Sequence, residues 1–110
     1  MSDSGVRQLN VMFAEVIERL QTEGFRAGPG ELGEQIVISG LAPESAVVGT
    51  CLQLGATAVI ELAELREPCG RFERIQQRDK NIAYDRLGFM ARVLVGGAVS
   101  VGDAVQVATA

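Results

Sequence analysis

The chain has 110 residues, a 47% apolar share and a formal net charge of −4, which suffices for one modest core and gives a phosphate backbone nothing to hold, so nucleic acid is not an expected partner. It contains two cysteines and no histidine, which excludes Ser/His/Asp and Cys/His pairs within the chain and zinc sites built on imidazole. Two thiols make no disulfide framework, Met1-Ser2-Asp3-Ser4-Gly5 has no secretory character, and no apolar run is long enough for a bilayer; the expectation is a single cytoplasmic domain over residues 1–110.

Leu9, Met12, Phe13, Val16, Ile17 and Leu20 recur at helical spacing, so the pattern predicts an amphipathic helix over Val6 to Glu23. Ser4 is its expected N-cap, and Gly24 followed by Phe25 suits its end. The apolar stripe is expected to face the core. Gly28-Pro29-Gly30-Glu31-Leu32-Gly33-Glu34 follows as a tight loop. Its glycines permit close backbone approach and could turn N–H groups to an anion, but the residues of a P-loop are absent, and a plain turn is the simpler reading.

Gln35 to Leu41 is β-branched and predicts a short strand, with a turn at Ala42-Pro43-Glu44-Ser45. Val48 to Leu54 and Ala58 to Leu65 predict a hairpin across residues 55–57. Cys51 falls within its first strand, where cysteine packs as a small apolar group. Phe72 and Ile75, three apart, predict a short helix after Cys69. Leu87 to Val95 reads as a strand with Phe89, Ala91, Val93 and Val95 on one face. Gly96-Gly97 is a turn signal, Ala98 to Val101 the next predicted strand, and Ala104 to Ala108 the last. The expected fold class is α+β and mainly β: a small barrel-like antiparallel or mixed sheet with one N-terminal amphipathic helix and a short helix after the cysteine loop.

The stretch with the most chemistry is Leu65-Arg66-Glu67-Pro68-Cys69-Gly70-Arg71. Pro68 ends the preceding strand, which puts Cys69 at the mouth of the sheet. Arg66, Arg71 and Arg74 can lower the thiol pKa by stabilising the thiolate, with Glu67 and Glu73 opposing them. Scattered carboxylates and two thiols show no metal-ligand spacing.

Five motifs taken together, Gly28 to Glu34, Val48-Gly49-Thr50, Leu65-Arg66-Glu67-Pro68-Cys69, Gly88 to Gly97, and Val101-Gly102-Asp103-Ala104-Val105, resemble the MOSC domain family over roughly Leu9 to Val107. That family has a β-rich, barrel-like fold. Its members form the C-terminal part of molybdenum cofactor sulfurases, occur in amidoxime-reducing molybdoenzymes and stand alone in bacteria. The resemblance implies that Cys69 carries sulfur as a persulfide or contacts molybdenum. It also implies that Arg66 and the loop residues Gly30, Gly33 and Glu34 lie on the side that holds the molybdenum cofactor, molybdopterin, where Arg71 joins Arg66 as an expected phosphate ligand through its fork of donors. A molybdoenzyme or a sulfur-donor protein is the implied partner.

The chain departs from the family pattern in three places. Gln35 stands where asparagine is common, and Ala98 where a charged residue is often seen. The strands and basic glycine loop that usually precede the first helix are not in this sequence, so a sheet edge must be left open, covered by Val6 to Glu23 or paired with another copy. A homodimer closed on that edge is therefore expected. The alternative is a non-catalytic shortened barrel that binds a small anion or a partner protein, with Cys69 a structural thiol beside a turn.

Overall fold

Leu9, Val11 and Phe13 alternate with Asn10 and Met12, and this period of two governs the first element of the computed structural model, which describes residues 8–67, 70–77 and 86–108. Strand β1 is Gln8–Phe13 and helix α1 is Ala14–Thr22. The continuous helix expected over Val6 to Glu23 is thus a strand running straight into a shorter helix. Val11, Met12 and Phe13 are all buried, so β1 has apolar residues on both faces and its spacing fits a helix as well as a strand. Pairing on both sides decides for the strand, an outcome that local periodicity does not contain. Ser4, the expected cap, lies outside the described residues, and Phe13 occupies the cap position without a side-chain bond. The other end follows expectation. Gly24 has φ +92°, Gly24 and Phe25 donate their N–H groups to Gln21 and Leu20 at 3.0 Å, and Phe25 is buried.

Strand β2, Ile36–Ile38, is followed by a single 3₁₀ turn at Pro43–Ser45. The predicted hairpin is present as β3, Cys51–Leu54, and β4, Ala58–Leu65. Cys51 is its first residue, half-buried and a free thiol. Helix α2, Gly70–Gln76, strand β5, Phe89–Val95, and strand β6, Val105–Val107, complete the order.

The six strands form one mixed sheet, β2-β1-β5-β4-β3-β6, parallel only between β1 and β2. β5 therefore has β1 on one side and β4 on the other, so no hairpin partner can follow it. Residues 96–104 instead cross the ends of β4 and β3 to reach the free side of β3. The strand predicted at Ala98 to Val101 does not form, and β5, the neighbour a hairpin would need, is already paired on both sides.

The sheet curls into a half-barrel. Val11 and Phe13 from β1, Ile38, Leu52, Leu54, Ile60, Leu62, Phe89 and Ala91 pack on its inner face. On the outer face Met12 meets Leu20, Phe25, Leu32, Phe72 and Leu87, where both helices and the glycine loop cover the sheet. No helix among the described residues is long and apolar enough to cross a membrane.

Candidate functional site

The loop before β2 is held by its own carboxylates. Gly28 donates its N–H to Glu31 Oε1 and Gly30 to Glu34 Oε2, both at 2.8 Å, and Gly33 donates to the Gly30 carbonyl at 3.0 Å. Three of its backbone donors are therefore turned inward to the loop. This is the arrangement of a structured turn, and an anion approaching it finds those N–H groups occupied by acceptors.

The positive charge near the loop comes from side chains. Arg66, just beyond β4, continues that strand's ladder by donating its N–H to Gly88 O at 3.0 Å. Its Nη2 donates to the Leu32 carbonyl. Arg71 lies in the first turn of α2, exposed. The two guanidinium groups meet at Gly33, whose φ is +73°. A Cβ added there would stand 2.7 Å from Arg66 Nη2 and 3.3 Å from Arg71 Nη1. Glycine is thus required twice at this position, for its backbone conformation and for the space that both arginines use.

Asn10 ties the loop to the sheet, a role that a helical reading of residues 6–23 hides. Its Nδ2 donates to the Gly33 carbonyl at 3.1 Å, its backbone N–H to Gln35 Oε1 at 2.9 Å, and its carbonyl accepts from the Gln35 N–H at 2.9 Å. The sequence signal that was available is an asparagine between Leu9 and Val11, in phase with a strand. Beside this anchor Asn10, Glu64, Leu65, Arg66, Glu67 and Met90 line a cleft of about 540 Å³ on the outer face of the sheet. Glu34 Oε1 is buried and has no hydrogen-bond partner among the described residues.

Of the residues singled out from sequence, Arg66, Arg71, Gly33 and Glu34 are brought to one place. Gly30 supports that place through its bond to Glu34. Cys69 and Pro68 lie outside the described residues; in the chain, Cys69 directly precedes Gly70, the first residue of α2. That helix is fixed firmly. Gln76 bonds both backbone groups of Arg26, at 2.7 and 2.6 Å, and Phe72 packs on Phe25 with ring centroids 6.1 Å apart.

The chain matches the family model described as MOSC domain over residues 5–106. It is similar to a protein named reductase from Gibberella moniliformis (strain M3125 / FGSC 7600), 30% identical over 81 residues, which are 70% of this chain and 14% of that one. Its fold is similar to the crystal structures of YiiM from Geobacillus stearothermophilus, with TM-score 0.75 and 19% identity, and of YiiM from Escherichia coli, with TM-score 0.75 and 17% identity. These alignments cover 92% and 93% of this chain and 54% of each YiiM chain. The chain thus spans about half the length of those structures and a small part of the reductase.

Proposed function

Because the chain belongs to the MOSC domain family, we propose that it is a sulfur-carrying or molybdopterin-holding module whose working thiol is Cys69. The observation that carries this reading is the meeting of Arg66 and Arg71 at Gly33, beside an open cleft. Arginine offers a fork of N–H donors suited to phosphate. The exposed Arg71 guanidinium suits the anionic end of a pterin phosphate, with the charge of Arg66, whose Nη2 is already engaged by the Leu32 carbonyl, beside it. Bound there, the cofactor would supply the molybdenum redox chemistry. The chain's own part is to bind the anion through Arg71, with the charge of Arg66 beside it, and to present a thiol.

In sulfur transfer the Cys69 thiolate attacks the terminal sulfur of a donor persulfide. A new S–S bond forms at Cys69 as the donor's S–S bond breaks, and the donor leaves as a thiolate. Arg71 follows Cys69 by two positions and Arg66 precedes it by three, so their charge favours the thiolate that starts this step. The fungal relative's name, reductase, together with the small share of it that matches, supports a module that works beside a larger redox protein.

Thiol kinetics test the reading. Cys69 is expected to alkylate at least about tenfold faster than the half-buried Cys51 near neutral pH, since each unit of lowered pKa gives tenfold more thiolate until ionisation is complete. Incubation with a persulfide donor is expected to add one sulfur to the protein and none to Cys69→Ser. Replacing Arg66 and Arg71 with Ala is expected to slow Cys69 alkylation. Equal, slow reaction at both cysteines would overturn the carrier role.

A further inference from the structure

On the inner face, away from the arginine cleft, an apolar trough of about 540 Å³ is lined by Leu9, Ile36, Leu54, Ile60, Val93 and Val99, among others. A second space of about 410 Å³ shares Ile36, Leu54 and Val99 with it and opens between β2 and β6, with Asp103 as its one charged wall residue among the described residues. The trough therefore runs along the half-barrel and out through the seam between the two outermost strands. Much of the chain's exposed apolar surface gathers here: Val37, Leu94, Val95, Val99 and the fully exposed Val101. Interiors are normally packed to crystal density, and a rimmed apolar patch of this kind marks a contact surface.

The backbone specifies what fits. Asn10 turns its N–H and C=O toward β2, so the alternation along β1 turns Met12 the same way. In a parallel pair a residue bonds to the two residues flanking its partner. Met12 faces Val37 and so engages Ile36 and Ile38, leaving the peptide groups of Val37 on the open edge. On the other side, Ala108 donates to the Cys51 carbonyl and Gly55 to that of Ala104, each at 2.8 Å. The same alternation turns Gln106 toward β3, and Val105 and Val107 outward to the seam. Following the pairings across the sheet, β2 and β6 run in the same direction. One strand antiparallel to β6 is thus antiparallel to β2 as well.

We propose that the β2–β6 seam is a docking site for one extended segment of a partner polypeptide, which inserts antiparallel to both edges and points uncharged apolar side chains into the trough. A hydrocarbon ligand would fill the trough and leave the peptide groups of Val37, Val105 and Val107 unpaired, whereas a strand satisfies both. The homodimer expected from sequence fits less well, because all six strands of the described residues already belong to the sheet, leaving none to donate. Neither edge strand carries a charge or a proline, the usual devices against pairing, and Asp103 at the rim favours a basic residue at one end of the segment.

The test adds a synthetic peptide, Lys-Thr-Val-Thr-Val-Thr-Val-Lys, to the full chain and follows amide hydrogen exchange by NMR. The expected result is slowed exchange at Val37, Val105 and Val107, with Gln106, already bonded to β3, unchanged. Val107→Pro removes an edge N–H that the β3 ladder does not use and is expected to weaken the peptide about tenfold. Val99→Asp, at a half-exposed wall position, is expected to weaken it as well without touching either edge. Unaltered exchange at all three valines in millimolar peptide would overturn the proposal. So would their protection without peptide in step with a doubling of mass, which would make the occupant a second copy.

Discussion

At Gly88 the backbone takes φ +79°, and a methyl group on its Cα would stand well inside van der Waals contact distance of the Val11 carbonyl oxygen. The same residue's carbonyl receives the Arg66 N–H, so the close approach of Gly88 to β1 also fixes where the guanidinium starts. Gly88→Ala is expected to lose about 3 kcal/mol in urea unfolding, from strain and backbone overlap together. Gly102→Ala is the control. It has φ +96° and open space around it, so it is expected to lose about 1 kcal/mol, the conformational part alone. Equal losses would show that the Val11 contact is not the cause. The glycines were legible in the sequence as turn formers, but which of them meets a carbonyl and which meets two arginines depends on chain segments dozens of residues away.

Among the elements, α2 shows how a short helix is held by one polar side chain. Gln76 is buried, and its amide completes both backbone groups of Arg26. Gln76→Leu keeps the bulk and strands an N–H and a C=O, which is expected to cost about 2 kcal/mol and to speed amide exchange throughout α2. Unchanged exchange in α2 would mean that Phe72 on Phe25 suffices. The helix itself was legible, since Phe72 and Ile75 fall three apart, and so was the β3–β4 hairpin with its alternating residues and short turn. The strand at Gln8–Phe13 was not, because Leu9, Met12, Phe13, Val16, Ile17 and Leu20 satisfy a helical period through a segment whose first half is paired on both sides. The missing strand at Ala98 to Val101 has the complementary explanation: the apolar pattern was present, but β5, the neighbour a hairpin needs, was already paired on both sides. At the candidate site, Arg66, Arg71 and the glycine loop were legible from composition and family resemblance. Asn10 and the cleft residue Met90 were not, since their meeting depends on the β1–β5 register.

Over the whole molecule, two carboxylates pin α1 to distant segments. Glu23 grips Arg86 with two bonds of 2.8 and 2.7 Å, and the hydrogen bond from that guanidinium, with its charge, lowers the Glu23 pKa below the ordinary 4.5. Glu15 accepts the Gly40 N–H at 2.8 Å, and this bond lowers its pKa likewise. A folded-state value below the unfolded one means that the stabilisation is complete above pH 4.5 and is lost as pH falls through the lowered values. The melting temperature is therefore expected to drop on acidification below that point, and Glu23→Gln is expected to flatten the drop. Both groups are solvent-exposed and screened, so the effect is modest and shrinks in high salt. A Glu23→Gln profile parallel to that of the parent chain would show that the pair contributes nothing.

The pairing of Gln8 with Arg92 sets a timetable for synthesis. At a translation rate of about 5–20 residues per second, the ribosome needs roughly 4–16 seconds after making β1 to deliver the strand that flanks it, whereas a hairpin such as β3–β4 closes in about 1–10 microseconds. The β3–β4 hairpin can therefore close while β1 still lacks its β5 neighbour.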